Sequence, residues 1–102
     1  MTTVENLTQT VAEECAEVAQ RASKANRFGW FEVQDGQQLS NSERLISEFI
    51  DLSAVLLLLE EEGLCTFPFK VVDSNVKTLI MEKQLRIRQM LDYSKQLGLL
   101  ND

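Results

Sequence analysis

Two short acidic motifs carry the only residue pattern in this chain that could do chemistry. The first is Glu13-Glu14-Cys15-Ala16-Glu17 and the second is Glu48-Phe49-Ile50-Asp51. Each holds carboxylates three residues apart, which on a helix brings both to one face. Acidic pairs are common on solvated surfaces, but these do not stay among polar residues. Glu14 falls beside Leu7 at the edge of an apolar stripe, with Glu17 one step further round. Glu48 and Asp51 share their sector with Val55, Leu58 and Leu59. Carboxylates drawn into apolar surroundings cost several kcal/mol each unless a cation compensates them. Two such pairs facing each other across a helix–helix contact would form a four-carboxylate cage, a donor set that suits Mg²⁺ or Mn²⁺. The alternative is a set of ordinary ion pairs, Glu14 and Glu17 with Arg21 and Lys24, and Glu48 with Arg44.

Composition narrows the chemistry from the other side. The 102 residues contain no histidine, 10 Lys and Arg against 16 Asp and Glu, and two cysteines, for a formal net charge of -6. Without imidazole there is no Ser-His-Asp or Cys-His nucleophile, no mixed nitrogen zinc site, and no Glu-x-x-His pair of the di-iron bundles. Cys15 and Cys65 cannot make a disulfide framework and fit a reduced, cytoplasmic setting, with Cys15 expected in the core. So acidic a chain is a poor partner for a nucleic-acid polymer. The longest apolar run, Ala54 to Leu59, is far below the ~20 residues that cross a membrane. No secretory signal pattern is visible at Met1 to Glu5.

The elements that must position the acids read as helices. Val4, Leu7, Val11, Cys15, Val18 and Ala22 fall within about 80° of arc, predicting a first helix from about Val4 to Ala25 capped by Thr2 or Thr3. Arg27-Phe28-Gly29-Trp30-Phe31 breaks it, and the stretch to Ser42 reads as a loop. Ser40 and Glu43 fit a capping box, opening a second helix that should run to about Glu62 and stop at Gly63. A third is expected from about Asn75 to Tyr93, continuing with or without a break to Gln96, with Asp73 or Ser74 as its cap. The expected fold is therefore all-α, a single domain over residues 1–102 with three to four helices in a bundle. In the second helix Leu45, Ile46, Phe49, Ile50, Leu52 and Val55 to Leu59 point to every side. A helix apolar all round must be surrounded, and so short a chain can hardly do that alone, so a homodimer or homotetramer built on this helix is expected.

Glu-Glu-x-x-Glu on one helix followed by Glu-x-x-Asp on the next resembles the motif pair of the MazG-like, all-α nucleoside triphosphate pyrophosphohydrolases. The likeness covers roughly Leu7 to Glu62, and the text around the motifs, EECAEVAQRASKANRFG and Asn41 to Leu59, is similar to short phage-type and bacterial members. The gap from Val18 to Ser47 is at the long end for that family, with the loop from Phe31 to Leu39 absorbing the excess. The resemblance implies hydrolysis of a (deoxy)nucleoside triphosphate at the α-phosphorus to the monophosphate and pyrophosphate. It implies Glu14, Glu17, Glu48 and Asp51 as ligands of Mg²⁺, with Mn²⁺ as substitute, two or more ions per site. It makes Glu13 the second acid of the doublet, orienting water or sharing a metal. A preference for purine substrates such as dGTP or dATP, as in a MazZ-like branch, is one variant, with dCTP and dUTP left open, and the setting would be the host cytoplasm if the chain is phage-encoded.

Around this site Lys24 and Arg27 are the phosphate-binding candidates, with Arg21 ranked behind them. Lys83 joins them because it interrupts the apolar face formed by Val76, Leu79, Ile80, Ile87 and Met90. Trp30, and Phe28 beside it, are candidates for stacking on the base; otherwise they plug the end of the bundle. A reading of another class stays open, a non-catalytic helical oligomer that binds a protein partner through the Val55–Leu59 surface.

Overall fold

In a computed structural model, which describes residues 1–69 and 74–102, the chain is all-helical: α1 Thr3–Phe28, α2 Asn41–Glu61 and α3 Ser74–Gln96, with no strand among the described residues. Thr2 caps α1, its hydroxyl accepting from the Glu5 N–H at 3.0 Å. The helix continues through Arg27 and Phe28, three residues beyond expectation, because neither side chain breaks a helix. It stops where the Gly29 N–H bonds to the Ala25 carbonyl at 2.9 Å. The capping box of α2 forms as the spacing predicts: the Ser40 N–H donates to Glu43 Oε1 at 3.1 Å, and the Glu43 N–H donates to Ser40 Oγ at 3.2 Å.

Gly63 ends α2 in a Schellman arrangement at φ 78°, the Gly63 N–H reaching the Glu60 carbonyl and the Leu64 N–H the Leu59 carbonyl. The same pair of bonds recurs at Gly98 behind α3, from Gly98 to Lys95 and from Leu99 to Ser94. Asp73, the alternative cap for α3, lies outside the described residues; Ser74 is the first helical residue.

The chain divides into two units, Met1–Phe67 and Pro68–Asp102. In the first, α1 packs along α2. The two are antiparallel, since Gly29 meets Asn41 at one end while Glu14 meets Glu48 and Asp51 further along. Ala25, Val55 and Leu59 are buried there, with Leu7, Val11, Val18, Leu45, Leu52 and Leu56 half-buried around them. The inward face of α1 is turned from the apolar stripe by roughly 30° at 100° per residue. Cys15 and Ala22 are exposed as a result, correcting the expectation that Cys15 packs in the core. Glu14 and Arg21 are turned inward instead. Ile46, Phe49, Ile50 and Leu58 of α2 remain exposed. In the second unit no residue of α3 is buried.

Asn41 makes most of the hydrogen bonds that tie the connection between α1 and α2 to the start of α2. The Asn41 side chain is 3% exposed and donates through Nδ2 to the Gly29 carbonyl at 2.8 Å and to Glu32 Oε1 at 3.2 Å. Its backbone N–H bonds to the Glu32 carbonyl, and that of Ser42 to the Trp30 carbonyl. Asn41→Ala removes both side-chain bonds and strands a part-buried carbonyl, so a loss of about 1–3 kcal/mol in a urea melt is expected. A loss within the error of the melt would show that the loop stands without this clamp.

Candidate metal centre

Glu14 comes from the middle of α1, and Glu48 and Asp51 come from the second and third turns of α2. Helix pitch keeps Glu48 on the stripe of Asn41, Val55 and Leu59, within about 40°. Packing the hairpin therefore drives Glu48 toward α1, leaving Asp51 at the rim. Glu14 and Glu48 are half-buried and Asp51 is exposed. One carboxylate oxygen from each of the three lies within 4.8 Å of the other two. Oxygens on opposite sides of a single Mg²⁺ are about 4.2 Å apart, twice its usual bond length. Only one of the three pairs can sit trans about an octahedral ion, and neighbouring ligand oxygens lie about 3 Å apart, so side-chain adjustment of an ångström or more brings the three onto one hard cation. Glu13 and Glu17 are not in this triplet, though both lie close enough to act on Glu14.

Electrostatics single out Glu14. Its carboxyl is held above the ordinary value, first by desolvation and then by the negative charges of Asp51, Glu48, Glu17 and Glu13. No cation is among the groups acting on it. The ion pairs that would have made these acids an ordinary surface network are missing: among the described residues none joins Glu14, Glu17 or Glu48 to Arg21, Lys24 or Arg44. Arg44 turns away, donating from Nη1 to Gln34 Oε1 at 3.1 Å. Among the described residues the acids converge without a counter-charge, and an all-oxygen set of two half-buried carboxylates and one exposed carboxylate is of the chemical type that hard divalent cations take.

Of the cations expected nearby, Lys24 is half-buried on α1, while Arg27 is exposed and lies over the Phe28 ring at 5.3 Å from its centroid. Arg21 is 6% exposed, and its Nη1 has no hydrogen-bond partner. Lys83 belongs to the second unit, where it is exposed on α3 beside Arg86 and Ile87. The aromatics do not plug the hairpin: Phe28, Trp30 and Phe31 are 52%, 48% and 89% exposed. The burial of Arg21 and the clamp made by Asn41 were not legible beforehand. The one signal for Asn41 was its position directly after a cap, where a side chain can reach back into the preceding loop.

No family model, curated protein or solved structure matches the chain. Function therefore rests on the site itself.

Proposed function

We propose that the chain is a metal-dependent nucleoside triphosphate pyrophosphohydrolase of the MazG-like kind, converting NTP and water to NMP and pyrophosphate. The observation that carries the reading is the convergence of Glu14, Glu48 and Asp51, one from the first acidic motif and two from the second, with no cation among them. These three would hold Mg²⁺ or Mn²⁺, with Glu17, one turn along α1 from Glu14, as the fourth candidate ligand. A metal in this place supplies a low-pKa water and neutralises charge on the phosphates. Glu13 orients the attacking water, and Lys24 and Arg27 meet phosphate oxygens. Trp30 and Phe28, exposed on and beside a clamped loop, offer stacking surface to a base, with purine deoxynucleotides the favoured class. Attack at the α-phosphorus predicts NMP and pyrophosphate when each NTP and dNTP is incubated with Mg²⁺ or Mn²⁺ and products are separated. NDP with inorganic phosphate would reject that chemistry, and no turnover of any nucleotide would reject the enzyme.

The working form in this reading is a homodimer or homotetramer in a cytoplasmic setting. Support comes from the exposed Ile46, Phe49, Ile50 and Leu58 of α2, an apolar surface that association would cover. No helix among the described residues is long and apolar enough to cross a membrane. A second reading is a helical protein-interaction module. The expected Val55–Leu59 surface does not serve it, because Val55 and Leu59 are buried in the hairpin. It draws instead on α3, where Leu79, Met81, Leu85 and Met90 are each more than half exposed. The product assay separates the two, since a module turns over nothing.

A further inference from the structure

Arg21 is the only charged residue buried among the described residues, and its condition is unusual. A guanidinium carries five donors in a rigid planar fork and stays charged at any physiological pH. Here it is 6% exposed, with Nη1 unpartnered and no ion pair to a described carboxylate. Glu17 stands four residues before it, at the spacing where a helical Glu and Arg normally pair, yet the pair does not form. A buried cation without acceptors among the described residues destabilises the fold, and an acceptor arriving from outside would relieve that cost.

Position says which kind. Arg21 follows Glu14 by seven residues, within about 20° of it around α1 and about 10 Å along the axis. Arg21 thus shares the Glu14 face of α1, two turns further along the helix. The same stretch of the hairpin thus holds carboxylates lacking a cation and a guanidinium lacking an anion. A metal–polyphosphate complex has both complements, a hard cation at one end and unshared phosphate oxygens at the other. Arg27 already stacks on Phe28, and Lys24 is a single point charge on a flexible stem. Only Arg21 presents a buried fork.

We propose that Arg21 grips the phosphate oxygens destined to leave as pyrophosphate, with the hairpin opening enough to admit them to Nη1. The inference deepens the hydrolase reading and rests on it for the direction of the chain of phosphates. Inorganic pyrophosphate is the probe. Its binding is measured by calorimetry with Mn²⁺ present, for the wild type, Arg21→Met and Arg21→Lys, beside Mn²⁺ binding alone and thermal melting.

Arg21→Met should weaken pyrophosphate binding roughly 10- to 150-fold, the range for losing charge-assisted hydrogen bonds, and leave Mn²⁺ binding unchanged. It should also raise the melting temperature by several degrees, since an unpaired charge is replaced by a side chain that fills the same space. Arg21→Lys keeps the charge without the fork and should fall between. Unchanged pyrophosphate affinity in Arg21→Met, a wild type that does not bind pyrophosphate, or a lowered melting temperature in Arg21→Met would each overturn the inference. The two readings fail separately. Pyrophosphate binding that depends on Arg21, without turnover of any nucleotide, sinks the hydrolase and keeps the anion site. Turnover with an unaltered KM in Arg21→Met sinks the anion site alone.

Discussion

Glu14→Gln should lower nucleotide turnover by roughly 10²- to 10⁴-fold, because a metal centre supplies several kcal/mol of transition-state stabilisation and loses its geometry with one ligand. The same change should leave the metal-free protein as stable as the wild type or more so. Glu14 lies among Asp51, Glu48, Glu17 and Glu13, all of the same sign, and an amide relieves that crowding at nearly constant volume. Asp51→Asn should act in the same direction on turnover, with less effect on stability because Asp51 is exposed at the rim. Turnover and melting temperature therefore move oppositely in Glu14→Gln. A parallel fall in both would mean that Glu14 holds the hairpin together, and unchanged turnover would remove it from the site.

Metal and proton should compete for Glu14, which yields the second large effect. At a Mn²⁺ concentration of 100 Kd, binding to the folded state alone contributes about 2.7 kcal/mol, on the order of 10–20 °C in melting temperature for so small a domain. In the metal-free protein the sign with pH is fixed by the direction of the Glu14 shift. A carboxyl whose folded value is raised adds stability that is complete below the ordinary 4.5 and lost as pH rises through the raised value. Glu43 behaves in reverse. Its carboxylate is held low by hydrogen bonds from Ser40, so its contribution is complete above 4.5 and lost as pH falls through the lowered value. The two windows lie on opposite sides of 4.5. Acidifying from neutral pH should first stabilise the metal-free protein, and it should shrink the Mn²⁺ increment over the same range as protons displace the ion. Melts with and without Mn²⁺, from neutral to about pH 4, test this against Glu14→Gln, in which the upper window should vanish. A Mn²⁺ increment that is absent at neutral pH, or equal in wild type and Glu14→Gln, would exclude the metal centre.

Local signals were legible where one residue type dictates one geometry. Ser40 and Glu43 announce a helix start because few other pairs satisfy two end donors reciprocally, and Gly63 announces a stop because it takes a positive φ without strain. The acidic pairs were legible too, since spacing alone sets the face they share. What escaped was the exact face of α1. A count of apolar residues centres the buried stripe near Val11 and places Cys15 and Ala22 within it, because it has no means of assigning a polar residue to the inside. Glu14, Arg21 and Asn41 are turned inward or buried for reasons that lie in α2 and the loop, not in their own neighbours in sequence. The exposure of Trp30 escaped for a related reason. Aromatic character predicts burial on average, whereas the course of this loop, tied by hydrogen bonds to Asn41 and Ser42, leaves its rings exposed.

The Asn41 clamp bears on recognition as well as on folding. A loop that must organise its aromatics when a ligand arrives gives up part of its contact energy to ordering, about 0.5–1.5 kcal/mol for each immobilised side chain. Here the backbone at Gly29, Trp30 and Glu32 is tied to the start of α2 by direct hydrogen bonds. The backbone share of that entropy has been given up when the hairpin forms, before any ligand is met, and the loop is preorganised at its base. In the proposed hydrolase, selectivity among flat ring systems would then be a matter of which ring matches a surface already in position.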